Sequence, residues 1–166
     1  MEDLIFVFVG NEKPSKDKIK PIENKINYGF DKPNGGFWSS PISDDGKNSE
    51  WEFFCKEEGM SNEFTQRWFI KPDEDCRILI VNNNKDLEKY RKDERVNFEK
   101  LAKEYDAIFL TKEGAVNTQQ SLMWDFSSCL FLHPKFKIKP DVNYNEKIKS
   151  NNFVNFYNKR KCDFAK

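Results

Sequence analysis

The sequence predicts a single α+β domain, and three observations lead to this prediction. The chain has 166 residues, a length typical of one domain. Hydrophobic residues make up 37% of it and aromatic residues 15%, so a sizeable core can form. Short apolar runs of strand composition alternate with segments of helical spacing, without a repeat or a flexible linker. We expect the domain to span residues 1–140, followed by a basic, aromatic-rich extension over residues 141–166.

The first half of the chain should contain two strands joined by a long loop. Leu4–Val9 is a continuous apolar run rich in strand formers. Residues 11–33 are charged and contain three prolines, which predicts the loop. The segment Asn34–Pro41 reads Asn-Gly-Gly-Phe-Trp-Ser-Ser-Pro, which predicts a tight turn leading into a strand that ends in two serines. Taken alone, it also fits an ordinary hairpin entry with an aromatic residue in the core.

A helix should begin after Ser49, because Glu52 stands where a capping box requires it. Gly59 is expected to end this helix, and Trp51 and Phe54 are expected to face the sheet.

The second half should alternate strands with helices. The predicted elements are the strand Phe64–Ile70, the strand Cys76–Val81, a helix from Asn82 through Tyr90, a helix Phe98–Tyr105, the strand Asp106–Thr111 and the strand Ser128–His133. Among these, Cys76–Val81 reads as the clearest buried strand of the chain. Residues 112–122 are polar and contain Gly114, which predicts a loop.

Charge and cysteine usage exclude several classes of protein. The 28 basic and 28 acidic residues balance, whereas a general nucleic-acid binder needs a basic surplus. A net charge near zero favours association with other molecules, so a protein partner is possible. The cysteines and the one histidine are isolated in sequence, so we expect reduced, buried thiols and no metal: Cys55, Cys76, Cys129, Cys162 and His133. Acidic residues at the N-terminus and the absence of a long apolar stretch predict a cytoplasmic location without membrane contact.

Several short motifs between residues 34 and 133 occur in a distinctive order. They are Gly35-Gly36-Phe37-Trp38-Ser39-Ser40, Trp51, Asp75-Cys76-Arg77-Ile78-Leu79, Asp86-Leu87, Phe98-Glu99-Lys100-Leu101-Ala102, Tyr105-Asp106-Ala107-Ile108 and Trp124-Asp125. Their order and spacing resemble an uncharacterised family of small bacterial and phage proteins that looks related to the ADP-ribosyltransferase fold. The resemblance implies a split, mostly antiparallel sheet with flanking helices.

In ADP-ribosyltransferases, as the resemblance implies, NAD lies in a cleft between two small sheets. A first-strand Arg, His or Tyr, a serine-containing strand and a late Glu hold it. The Glu is needed because a carboxylate positions the ribose 2′-hydroxyl and stabilises an oxocarbenium-like transition state. On this basis the cofactor-binding candidates are Trp38, Ser39, Ser40, Trp51 and Gln119, and the catalytic candidates are Ser39, Asp125 and Ser127.

Three departures from that pattern bear on the chemistry. The first strand has no Arg, His or Tyr, Gln119 replaces a family Arg, and Ser127 stands at the position of the late Glu. Serine cannot supply the charge, and loss of such a contact commonly costs about 10²- to 10³-fold in rate. Asp125 could act as a substitute carboxylate, since it shares a strand face with Ser127, or it could simply cap a turn at the strand entry.

Two functions follow as hypotheses. The first is a non-catalytic binding protein of phage or mobile-element origin, which needs no cofactor and inhibits a host protein or ribonucleoprotein, for example in the manner of an anti-CRISPR protein. The second is an active NAD-dependent mono-ADP-ribosyltransferase that uses Asp125. His133 is expected to be a strand-end surface residue rather than a general base. The extension over 141–166 is either a helix docked on the body or an RNA contact made through its lysines and aromatic rings.

Overall fold

The computed structural model describes residues 4–24, 32–43, 46–60, 64–93, 95–122 and 124–146. They form one mixed α/β domain built on a mostly antiparallel sheet. The strands are β1 (Phe6–Gly10), β2 (Phe37–Pro41), β3 (Gln66–Pro72), β4 (Ile78–Val81), β5 (Arg91–Lys92), β6 (Arg95–Val96), β7 (Ala107–Leu110), β8 (Ser128–Phe131) and β9 (Phe136–Pro140). The helices are α1 (Glu50–Glu57), α2 (Phe98–Leu101) and α3 (Lys112–Leu122), with 3₁₀ helices at Lys16–Lys18 and Asn84–Tyr90.

Seven of these strands form one sheet in the order β4-β7-β8-β2-β1-β3-β9, and β5 and β6 form a separate hairpin. The pair β4–β7 is parallel, and every other pair in the large sheet is antiparallel. The chain passes from β3 to β4 in only six residue steps, which span at most about 21 Å. A flat sheet would separate these two strands by about 24 Å, because neighbouring strands lie about 4.8 Å apart. The sheet must therefore curl.

The curl divides the core into two clusters, one on each face of the sheet. The cluster on the inner face joins strands that are distant in sheet order, since the rings of Phe131 on β8 and Phe136 on β9 lie 4.5 Å apart. The outer face is covered by α2, α3 and the longer 3₁₀ helix, which pack Leu87, Phe98 and Leu101 against Leu130. Both clusters are needed because this sheet has apolar side chains on both faces.

Several predicted elements are confirmed and others are wrong. Residues 112–122 form α3 instead of the predicted loop, because Thr111 Oγ1 accepts a hydrogen bond from the Gly114 N–H and so caps the helix. The predicted helix Phe98–Tyr105 shortens to the four residues of α2. Strand β9 was not predicted at all. The run Cys76–Val81, predicted as a buried strand, yields a strand only from Ile78, at the edge of the sheet.

Helix α1 begins as predicted, since the Ser49 side chain accepts from the Glu52 N–H while the Glu52 carboxylate accepts from the Ser49 N–H. Trp51 and Phe54 face strands β1 and β2, but across an open space, so they are not packed tightly against the sheet. The buried residue of α1 is Cys55, and Trp51 is 38% exposed. The helix therefore presents aromatic rings toward a space that the sheet does not fill.

The buried side chain of Arg67 on β3 holds α1 in place. Its guanidinium donates to Asp141 Oδ2 at 2.6 and 2.8 Å, to the Lys47 carbonyl at 2.5 Å and to Glu52 Oε1 at 3.2 Å. The ring of Tyr144 stacks on the guanidinium, 4.4 Å from its central carbon. One cation thus joins the start of α1, the start of β3 and the beginning of the 141–166 segment. Residues 147–166 of that segment lie outside the described residues, as does its proposed RNA contact.

Asp106 makes a second polar junction, at the start of β7. Its buried carboxylate accepts from the Arg77 backbone N–H and from the Arg77 guanidinium at 2.9 and 3.1 Å. Its carbonyl accepts from the N–H groups of Leu132 and His133. The hydrogen bonds from Arg77 lower the pKa of the Asp106 carboxyl below its usual 3.8.

In the described part of the chain, Cys76 and Cys129 are free thiols. Cys55 and Cys129 are buried, and Cys76 is half-buried. Burial raises the pKa of the Cys76 thiol to about 11 and that of Cys129 well above its usual value, so both are protonated at neutral pH. Cys162 lies outside the described residues.

Substitution Arg67→Met should cost about 3–5 kcal/mol of unfolding free energy, because it leaves the buried carboxylates of Glu52 and Asp141 without their cation. Urea titration followed by circular dichroism measures this loss. The control is Lys89→Met, which breaks an ion pair whose side chains are 63% and 40% exposed and should cost less than about 1 kcal/mol. Equal losses in the two variants would contradict the assignment of Arg67.

Stability should also depend on the charge of Asp106. A carboxyl group whose pKa is lowered by folding stabilises the protein above its unfolded pKa, near 3.8, and loses that contribution as the pH falls through the folded value. Asp106→Asn should therefore be less stable than the parent protein at pH 7, by a margin that narrows at acid pH. Urea midpoints measured between about pH 2.5 and 7 test this expectation. A margin that stays constant over the range would contradict it.

Candidate functional site

A cleft of about 610 Å³ opens where strands β1 and β2 separate. The two strands pair at only two positions, Phe6 with Pro41 and Val7 with Ser40. Beyond Val7, β1 continues against β3, and the first three residues of β2 pair with β8 instead. The gap between the diverging strands is bounded by α1 on one side and by the entry to β8 on the other.

Two glycines bring β2 into this position. Gly35 and Gly36 have φ angles of +79° and +69°, which side chains rarely allow. A Cβ atom on Gly36 would lie 2.7 Å from the Leu130 side chain and 2.8 Å from the Phe131 carbonyl oxygen. Gly36 is therefore required for the close approach of β2 to β8, and Gly35 for the close approach of this turn to the Pro21 carbonyl oxygen, which a Cβ atom would meet at 2.0 Å. Both agree with the tight turn predicted there.

Aromatic rings dominate the lining of the cleft. They belong to Phe8, Trp38, Trp51, Phe54, Phe64, Trp124 and Phe126. The rings of Trp51, Phe54 and Phe126 form a continuous row, with successive centroids 5.6 and 5.1 Å apart. Trp38 meets the buried ring of Trp124 edge-on at 4.6 Å. A space of this size and composition suits an apolar or aromatic group.

The two serines of β2 line the cleft, but each hydroxyl proton is already donated to a backbone carbonyl. Ser39 Oγ donates to the Cys129 carbonyl and Ser40 Oγ donates to the Ser127 carbonyl, each at 3.3 Å. Both side chains are at most 8% exposed. The serines therefore tie β2 to β8 and retain only lone pairs for a ligand.

Ser127, the residue at the position of the late Glu, is buried and faces a carboxylate from another part of the chain. Its hydroxyl and its backbone N–H donate to Glu50 Oε2 at 2.7 and 2.9 Å. Glu50 is the first residue of α1, where a negative charge is stabilised by the helix dipole. Sequence reasoning missed Glu50 as a partner of Ser127, and its one available signal was its place beside the helix cap.

The remaining candidates fall in different places. Asp125 is exposed and lines the cleft, as do Trp38 and Trp51. Gln119 lies in α3, and its side chain is outside the described part of the structure. His133 is half-buried, with Nε2 2.7 Å from the Ala102 carbonyl oxygen, beside a separate pocket of about 420 Å³.

Charged groups are sparse at this site. Of the described residues that line the cleft, only Lys32 and Asp125 are charged. Arg67 lies opposite Val9 in the register of β1 and β3, but its guanidinium points toward Glu52 and Asp141. In the described ranges, no three His, Cys, Asp or Glu side chains come together as a metal site, and no helix is long and apolar enough to cross a membrane.

In comparisons with known proteins, no protein-family profile, no curated protein and no solved structure matches the chain.

An apolar dye should enter the cleft. Anilinonaphthalene sulfonate should bind one to one, with an increase in its fluorescence and energy transfer from the tryptophans that line the space. Trp51→Ala should weaken binding by about tenfold, which is the effect of losing about 1.4 kcal/mol of ring contact. The matched control is Phe53→Ala, because Phe53 is 49% exposed on the same helix but does not line the cleft. Equal effects of the two substitutions would place the dye elsewhere.

Proposed function

We propose that this chain is a non-catalytic binding protein of phage or mobile-element origin, which acts in the cytoplasm by contact with a host protein or ribonucleoprotein. An inhibitor of a bacterial defence system, such as an anti-CRISPR protein, is the example we favour. The scaffold is taken to be ADP-ribosyltransferase-like, with the cleft between β1 and β2 corresponding to the NAD site of that fold. The cleft would receive an apolar or aromatic side chain of the partner rather than a cofactor.

The observation that supports this proposal most is the state of the polar groups around the cleft. Ser39 and Ser40 donate hydrogen bonds to backbone carbonyls, and the Ser127 hydroxyl donates to the Glu50 carboxylate. Transfer of ADP-ribose needs a carboxylate and a cation aimed at the substrate, and these contacts leave Asp125 and Lys32 as the charged groups among the described lining residues. Clustered aromatic rings are instead typical of protein interfaces, where such residues contribute most of the binding free energy.

The proposal is tested with a tagged protein in bacterial extracts. One complex should be captured in stoichiometric amount and should bind again after purification. Trp51→Ala should reduce its affinity at least about tenfold, whereas Phe53→Ala should leave the affinity unchanged. A purified complex that binds both variants equally would rule out the cleft as its docking site.

An active ADP-ribosyltransferase is the second candidate, because Asp125 does line the cleft beside Ser39 and Ser40. Under the first proposal, purified protein should release no radiolabelled nicotinamide from NAD above a heat-inactivated control. NAD should also fail to raise the melting temperature, since an unbound ligand cannot stabilise the folded state. Nicotinamide release that is abolished by Asp125→Asn would establish the enzyme instead.

A further inference from the structure

The two edges of the described sheet differ in their protection against pairing. The edge strand β9 reads Phe-Lys-Ile-Lys-Pro, so it carries two lysines and a proline. The opposite edge strand, β4, reads Ile-Leu-Ile-Val and has no charged residue, proline or glycine. Lysine and proline on an edge strand prevent further strands from adding, and an apolar edge without them invites such addition.

Strand β4 is also less buried than is usual for a strand made only of apolar residues. Val81 is fully buried, whereas Ile78 and Leu79 are half-buried and Ile80 is 42% exposed. An apolar run in a parallel pair is normally covered, as the sequence of this strand predicts. One edge of β4 pairs with β7, and among the described strands none pairs with its other edge.

The backbone of β4 presents hydrogen-bonding groups toward that open side. The carbonyls of Arg77 and Val81 point toward β7, because they accept from the N–H groups of Ala107 and Thr111. Carbonyl directions alternate along a strand, so the N–H and C=O groups of Ile78 and Ile80 point away from β7. These four groups lie symmetrically on either side of Leu79.

We propose that β4 is an interface between two copies of this chain, paired antiparallel about a two-fold axis that passes Leu79. In this register Ile78 of one copy lies opposite Ile80 of the other, and each such pair exchanges two hydrogen bonds. All four outward-pointing groups of each copy are then satisfied. The interface is isologous and closes on itself, so it yields a dimer and no fibre.

A second copy is favoured over an unrelated strand for two reasons. Before β4 the turn carries Asp73 and Glu74, whereas Asp75 already pairs with Lys135 of its own copy. The pairing places this turn across from Lys85, which follows β4 in the other copy, so the flanking charges are opposite in sign. The formal net charge of zero also removes the general repulsion between copies. Because the strand has only four residues, the dimer should be weak, with a dissociation constant in the micromolar range or above.

Sedimentation velocity between about 1 and 300 μM measures the association, and the parent protein should shift from monomer to dimer across that range. Ile80→Lys should weaken the dimer at least about tenfold, because it places two like charges beside the axis. The control is Ile5→Lys, since Ile5 has nearly the same exposure, 41%, but lies outside β4. Melting curves establish that each variant is folded.

Amide hydrogen exchange gives an independent readout that needs no substitution. The N–H groups of Ile78 and Ile80 should exchange rapidly in dilute protein and become protected as the concentration rises. Those of Leu79 and Val81, which face β7, should be protected throughout. The proposal would be overturned by a protein that stays monomeric at the highest concentration. It would also be overturned if the exchange rates of the Ile78 and Ile80 amides did not change with protein concentration. A dimer that persists unchanged in Ile80→Lys would overturn it as well, since that result would locate the interface elsewhere.

Discussion

The buried guanidinium of Arg67 is the contact on which the arrangement of the cleft depends. Each of its three nitrogen atoms donates a hydrogen bond, to Glu52, Asp141 or the Lys47 carbonyl, and the residue lies near the start of β3. A buried cation with this many partners has one favourable position, because moving any partner would leave a charge without compensation. Helix α1 is thereby held at a fixed distance from β3, and the aromatic residues of α1 are held over the gap between β1 and β2.

The gap itself follows from the curvature of the sheet. Short connections force β3 toward β4 and β8 toward β9, so the sheet must bend between its edges. The bend is taken up at β2, whose first half pairs with β8 and whose second half pairs with β1. A strand that changes partners in this way leaves unpaired backbone and exposed side chains beside it. The aromatic residues around the cleft cover that surface without closing it.

The polar side chains beside the cleft form hydrogen bonds within the folded chain. Ser39 and Ser40 connect two strands, and Ser127 fixes the entry to β8 by binding Glu50 at the start of α1. Glu50 and Glu52 thus connect α1 to β8 and to β3, respectively. In a catalytic cleft these groups would be aimed at a substrate and would gain their partners on binding. Here each finds its partner within the folded chain, which is why we favour a binding role.

Local interactions were predictable from the sequence by itself. The capping box of Ser49 and Glu52, the tight turn at Gly35-Gly36 and the apolar strands β1 and β7 all depend on residues a few positions apart. Of the site candidates named from the resemblance to a family pattern, Trp38, Ser39, Ser40, Trp51 and Asp125 line one cleft, whereas Ser127 does not line it. Strand β9 was missed because alternating lysines and a proline suit an edge strand as well as a loop.

Only the tertiary structure decided which apolar strand is central and which is an edge, because that depends on pairing between distant segments. The run Ile78–Val81 looks as apolar as any core strand, yet it has β7 as its one neighbour among the described strands. The same holds for Arg67 and Ser127, whose partners lie 74 and 77 residues away in the chain. Sequence patterns report what a residue does to its local backbone, whereas the partner of a buried charge is fixed by the packing of the whole sheet.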